Sequence, residues 1–83
     1  MYIHLGNDVV ISAVDVIAIL NIEDPISADL RDIIEIAEIE RKLVNISKKD
    51  KKKALVVCDD RIYISPISSN TLYKRASHYP KEV

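Results

Sequence analysis

The chain has 83 residues, with one glycine, one cysteine and a formal net charge of −1. This length fits one domain with one small core and excludes a separate catalytic lobe. A single glycine excludes a Gly-rich phosphate-binding loop, and a single cysteine excludes an intramolecular disulfide. We therefore predict one domain, residues 1–83, supported by contacts between subunits, since 48% of the residues are apolar.

The N-terminal part predicts a hairpin and a third strand. Residues 2–5 and Val9–Ser12 are β-rich and flank the only glycine, in the sequence Gly6-Asn7-Asp8, which is typical of a hairpin turn. Residues 12–15 predict one helical turn. The run 16–22, rich in β-branched residues and free of Gly and Pro, predicts a buried strand.

A helix is predicted after Asp24-Pro25, with Ser27 as its N-cap. The apolar residues of this helix recur with a period of 3.6: Leu30, Ile33, Ile34 and Ala37. Arg41 or Val44 comes next on the same side of the helix. Ile36 and Ile39 fall outside this stripe. A helix that is apolar over so wide a surface is expected to contact two neighbours, one in its own subunit and one in another.

The C-terminal part predicts a second hairpin and a short helix. Strands are expected at residues 54–58 and 62–65, around the turn Asp59-Asp60-Arg61, and a helix at residues 71–79 before Pro80. The predicted fold class is α+β, a small β-rich domain of about five antiparallel strands and two helices.

Charge is segregated along the chain. Residues 1–47 carry nine acidic and three basic side chains, whereas residues 48–83 carry nine basic and four acidic ones. The second part contains a lysine run: Lys48, Lys49, Lys51, Lys52 and Lys53. Such a run is typical either of a solvated turn or of a surface that meets a polyanion, most plausibly nucleic-acid phosphate.

Further basic residues with neighbouring tyrosines extend the candidate binding surface. They are Arg61, Lys74 and Arg75, close in sequence to Tyr63, Tyr73 and Tyr79. Basic and aromatic side chains together are typical of surfaces that follow a phosphate backbone. The sequence therefore predicts double-stranded DNA as a partner, bound by these three residues and the lysine run.

Catalytic and metal-binding patterns are weak. Asp59-Asp60 could bind a divalent cation, but an acidic pair is ordinary in a tight turn. His4, His78 and Cys58 lack the spacing of a metal site, and Cys58 is expected in the core. We expect no enzyme activity and no cofactor. No leader or membrane-spanning pattern is found, so a cytoplasmic location is expected.

Several segments resemble the RemA/RemB family of biofilm-matrix regulators and, within it, the RemB branch. They are Met1-Tyr-Ile-His-Leu-Gly6, Val10-Ile-Ser12 leading into Asp15-Val-Ile17, and above all Tyr63-Ile-Ser-Pro-Ile-Ser-Ser-Asn-Thr-Leu-Tyr-Lys-Arg-Ala76. The resemblance implies a fold similar to the LytTR DNA-binding domain. It also implies a homo-oligomeric ring that presents basic residues to DNA, and a role in activating transcription of matrix genes.

The resemblance also implies where DNA is contacted. One set of basic residues lies in the loop before the fourth predicted strand, which matches Lys51, Lys52 and Lys53. The other follows the second strand, where this chain has Val14 and Asp15 instead of an arginine. We therefore expect weak, salt-sensitive DNA binding with little base readout. The alternative is an oligomeric interaction scaffold, built from this chain or with a paralogous subunit, that has lost strong DNA binding.

Overall fold

The computed structural model describes residues 1–48 and 51–77, which fold into an α+β domain. The strands within these residues are β1 (Tyr2–Gly6), β2 (Val9–Ser12), β3 (Val16–Asn21), β4 (Leu43–Asn45), β5 (Ala54–Cys58) and β6 (Ile62–Ser65). The helices are α1 (Ala28–Ile39) and α2 (Ser69–Ala76), and a 3-10 turn, Ala13–Asp15, joins β2 to β3. The two predicted hairpins, the helical turn, the strand after it and the α+β class are confirmed. The prediction that this strand is buried is wrong, because β3 lies at an edge of its sheet and Ile19 is its only buried residue.

The strands form two sheets. β1 and β2 pair as an antiparallel hairpin, while the other four form a sheet in the order β3-β5-β6-β4. β4 runs parallel to β6, and the other pairs in that sheet are antiparallel. The prediction of about five antiparallel strands is therefore wrong in two respects, because it missed β4 and its parallel pairing.

The missed strand follows from an unexpected helix end. α1 begins as predicted, since the Ser27 hydroxyl accepts a hydrogen bond from the Leu30 N–H at 3.2 Å. It ends at Ile39, because Arg41 adopts a left-handed φ of 59°. The N–H of Arg41 donates to the carbonyl of Glu38 at 3.1 Å, and the N–H of Lys42 donates to the carbonyl of Ala37 at 2.9 Å. This is a Schellman motif, which usually has glycine at the left-handed position.

The four-stranded sheet is covered on both faces. Neighbouring residues Leu55 and Val56 of β5 are both fully buried but belong to separate apolar clusters. Because successive strand residues point to opposite faces, the two clusters lie on opposite sides of the sheet. The hairpin and α2 cover one side through Ile3, Leu5 and Leu72. Helix α1 covers the other side, where its partly buried apolar residues are Leu30 and Ile34.

Two side-chain hydroxyls join the first of these layers to the sheet. Ser65 is fully buried, donates to the carbonyl of Leu5 at 2.7 Å and accepts from the N–H of Ile67 at 3.0 Å. The hydroxyl of Tyr73, on α2, donates to the carbonyl of Ile19 on β3 at 2.9 Å. α2 is shorter than the predicted helix, whose final residue, Tyr79, lies outside the described residues.

Candidate nucleic-acid interface

The lysine cluster comprises the described members of the lysine run: Lys48, Lys51, Lys52 and Lys53. All four are exposed, and Lys49 lies outside the described residues. The backbone of Lys53 extends β5, because its N–H bonds the carbonyl of Ser65 at 3.0 Å and its carbonyl accepts from Ile22 at 3.1 Å. The N–H of Lys51 also donates to the carbonyl of Lys48 at 2.8 Å. The cluster is thus anchored to one end of the sheet.

The tip of the β1–β2 hairpin lies beside this cluster. Lys48, Lys51, Asn7, Ile46 and Pro66 line a hollow of about 180 Å³. Ligand pockets usually measure roughly 300–1,000 Å³, so this hollow is smaller than an ordinary small-molecule site. The position of Asn7 beside the cluster was not predicted from the sequence, because nothing local indicates that the hairpin turn lies next to the lysine cluster.

Arg61 lies at the opposite end of the sheet from the lysine cluster. It is exposed in the β5–β6 turn, and its carbonyl accepts from the N–H of Cys58 at 2.9 Å. The five steps of β3 from Val16, which pairs with Cys58, to Asn21, which pairs with Ala54, span roughly 17 Å. Within one subunit, Arg61 and the cluster therefore do not form one continuous basic patch.

The end of the sheet that carries Arg61 is acidic. Burial and, after it, the carboxylates of Asp15, Asp60 and Asp59 together raise the pKa of the Cys58 thiol from 9.0 to about 11. Asp15 and its neighbour Val14, which is 79% exposed, belong to the 3-10 turn. The resemblance implies an arginine close to this turn. The local potential here disfavours phosphate, in contrast to that at the lysine cluster. The thiol itself belongs to the core, as expected.

Lys74 and Arg75 lie at a third place, on α2 against β1. The guanidinium of Arg75 donates to the carbonyl of His4 at 2.7 Å through Nη1. Both residues line a hollow of about 520 Å³ together with Met1, Tyr2, His4 and Thr71. The structure thus distributes the described candidate residues over three places: the lysine cluster, Arg61, and the pair of Lys74 and Arg75.

The tyrosines of the predicted binding surface have different surroundings. Tyr63 is partly buried and packs against the core. Tyr73 is 52% exposed, although its hydroxyl is bonded to β3. Among residues 1–48 and 51–77, no group of three or more His, Cys, Asp or Glu side chains is arranged to hold a metal ion. Neither helix of this described part has the length and apolar character needed to cross a membrane.

This small α+β domain, with a basic loop anchored to one end of its sheet, is of the class of the extracellular matrix regulatory proteins. Residues 2–76 match the RemA-like family, described as "Extracellular matrix regulatory protein A-like". The chain belongs to this family. It is 39% identical over 77 residues to Extracellular matrix regulatory protein B of Bacillus subtilis (strain 168), covering 92% of this chain and 90% of that protein.

Proposed function

We propose that this protein is a cytoplasmic, non-enzymatic regulator of biofilm matrix genes that binds double-stranded DNA through the lysine cluster, repeated around a homo-oligomeric ring. The family supports a regulatory role, since its relative in Bacillus subtilis is named an extracellular matrix regulatory protein. The observation that carries the proposal is the lysine cluster itself. Four exposed lysines lie at one end of the sheet, and two of them line a small hollow there.

The chemistry of the cluster favours phosphate contacts over base readout. Lysine is a compact point charge on a flexible stem and lacks the planar fork with which arginine binds guanine edges and phosphates. Binding through such groups releases counterions and weakens steeply as salt rises. We therefore propose that specificity is low in one subunit and that positioning along DNA comes from repetition of the cluster.

Apolar surface supports the ring. Nine large apolar or aromatic residues of the described chain are exposed: Met1, Tyr2, Val10, Val14, Ile17, Ile33, Ile36, Ile39 and Tyr73. A domain of 83 residues has a small core and limited stability alone, so covering part of this surface with another subunit would stabilise it. The LytTR-like arrangement belongs to the same proposal, and so do DNA contacts by Arg61, Lys74 and Arg75.

An interaction scaffold is the second candidate function. The observation that favours it is the acidic end of the sheet, where Asp15, Asp59 and Asp60 surround Cys58 and no basic residue replaces the expected arginine. A ring with such an end would repel DNA there. Its apolar surface would then hold a protein partner or a paralogous subunit, and the lysine cluster would only keep the loop solvated.

Light scattering on one sample separates the two functions. The mass of the protein is measured alone and then with a promoter-length duplex at low and at moderate salt. A multimer that takes up the duplex at low salt and releases it as salt rises supports the regulator. A multimer that never takes up the duplex supports the scaffold, and a monomer contradicts the ring in both.

A further inference from the structure

We propose that the subunits associate head to tail, with the outer face of α1 in one copy seated on the outer face of the β1–β2 hairpin and α2 in the next. This inference rests on the oligomer of the proposed function and names the surfaces that form it. It is carried by the apolar character of two faces, by their opposite charge and by their positions on the fold.

The isoleucine face of α1 consists of Ile33, Ile36 and Ile39, which are 39%, 55% and 75% exposed. Residues three apart lie on one side of a helix, so these three form a continuous stripe. The stripe points away from the sheet, against which Leu30 and Ile34 pack. The helix also carries four carboxylates against one arginine, Arg31, which makes this face acidic as well as apolar.

The hairpin face consists of Met1, Tyr2, His4 and Val10 of the hairpin, together with Lys74 and Arg75 of α2. Tyr2 and His4 alternate with the buried residues of β1, so they point away from the sheet, and Val10 is paired with His4 across the hairpin. Tyr2 is 72% and Val10 54% exposed. The hollow of about 520 Å³ in this face has basic groups and no carboxylate in its lining.

Charge decides between two kinds of dimer contact. If α1 packed against α1 of a second copy, the carboxylates of both helices would face each other, and like charges would disfavour the contact. Packing of the isoleucine face on the hairpin face instead joins an acidic apolar stripe to a basic apolar hollow. The occupant that suits each face best is therefore the other face of a second copy.

The positions of the two faces allow both contacts at once. α1 and the hairpin lie on opposite sides of the four-stranded sheet, so each copy can bind one neighbour on either side. Such a heterologous contact continues from copy to copy and closes when the rotation between copies permits. Because the lysine cluster lies at an end of the sheet, between the covered faces, it stays exposed in every copy. Lys74 and Arg75 become part of the subunit contact, so in this arrangement they do not contact DNA, and the lysine cluster does.

Single charged substitutions test the two faces separately. We expect Ile36→Lys, on the acidic face of α1, and Tyr2→Glu, on the basic hairpin face, each to reduce the multimer to a monomer in light scattering, because each places in the apolar contact a charge that the opposite face repels. Val14→Lys and Val14→Glu are the matched controls: they add the same charges at a residue that is 79% exposed and belongs to neither face. Both should keep the mass of the parent protein.

Mixing the two variants tests the head-to-tail arrangement. The Tyr2→Glu copy keeps a working isoleucine face and the Ile36→Lys copy keeps a working hairpin face, so an equal mixture should give particles of two chains and none larger. This result also shows that both variants are folded. A mixture that stays monomeric overturns the proposal, as do single variants that keep the parent mass.

Failure of this inference is distinguishable from failure of the proposed function. A multimeric parent whose mass is unaffected by Ile36→Lys and Tyr2→Glu contradicts the assignment of the faces but leaves the ring and its DNA binding standing. A multimeric parent that takes up no duplex, yet gives two-chain particles in the mixture, supports the faces and contradicts DNA binding. A monomeric parent contradicts both.

Discussion

Neutralising two lysines of the cluster should change the salt dependence of DNA binding by a predictable amount. The variant Lys51→Gln/Lys52→Gln removes two exposed charges and leaves Lys53, whose backbone extends β5, unchanged. Surface substitutions of this kind usually change the free energy of unfolding by no more than about 0.5 kcal/mol. Any change in binding then reports on contacts with DNA and not on folding.

The magnitude follows from counterion release. Each phosphate neutralised by a lysine contributes about 0.9 to the slope of the logarithm of the binding constant against that of the salt concentration. If Lys51 and Lys52 contact one phosphate each, the slope falls by roughly 1.8 for every subunit in contact with the duplex. When the salt concentration rises fourfold, the loss of affinity should be roughly tenfold smaller for the variant than for the parent protein, for each subunit in contact with the duplex.

A variant with the same charge change at the other end of the sheet provides the control. Arg41→Gln/Lys42→Gln also removes two positive charges at exposed residues, neither of which is a candidate DNA contact. The Lys42 side chain pairs with Glu40 at 3.6 Å, and a surface ion pair of this kind contributes little to stability. Fluorescence anisotropy of a labelled duplex at four salt concentrations measures all three slopes. Equal slopes for the two variants would show that net charge, and not the cluster, governs binding. Unchanged slopes in both would remove the cluster from the DNA interface.

Three further predictions concern the stability of the fold that holds the cluster. Ser65→Ala should lower the free energy of unfolding in urea by about 1–3 kcal/mol, because it leaves the buried carbonyl of Leu5 without its donor; no loss would contradict this. Gly6→Ala should also lower the free energy of unfolding, because Gly6 has a φ of 107° and an added Cβ would lie 3.1 Å from Pro66. Asn7→Gly, at a residue with a φ of 51°, should leave the free energy of unfolding nearly unchanged. The raised pKa of Cys58 predicts that stability falls as pH rises from 9 towards 11, because the unfolded thiol ionises first; the same pH dependence in Cys58→Ala would refute this.

The sequence predicted those elements whose signals are local. The only glycine marked the first hairpin, Ser27 marked the start of α1, and alternation marked β5 and β6. The end of α1 was misplaced because its left-handed residue is Arg41, a residue type that gives no such signal. The apolar period therefore continued into β4, whose parallel pairing with β6 depends on tertiary contacts that no local pattern encodes.

The candidate site was predicted in part for the same reason. A run of lysines is expected to be exposed wherever it lies, and the described ones are. The separation of Arg61 from the cluster follows from the hairpin, since a residue in the β5–β6 turn must lie a strand length away from the residue that begins β5. The hollow that Asn7 shares with the lysine cluster and the acidic character around Cys58 both depend on residues distant in sequence. These two features could therefore be found only in the structure.

Assembly and DNA binding should be inseparable in this protein, and two variants with the same net charge test that. Because each subunit offers lysines and no arginine in its cluster, a single copy binds weakly, and linked copies can raise the overall affinity about 10²–10⁴-fold through effective concentration. Ile36→Lys should therefore weaken DNA binding by about 100-fold or more by breaking the ring, although it makes the chain more positive. Val14→Lys adds the same charge without disturbing either face, near the place where the resemblance implies an arginine, and should bind DNA more tightly than the parent. If Ile36→Lys binds as well as Val14→Lys, net charge alone governs the affinity and repetition of the cluster contributes nothing.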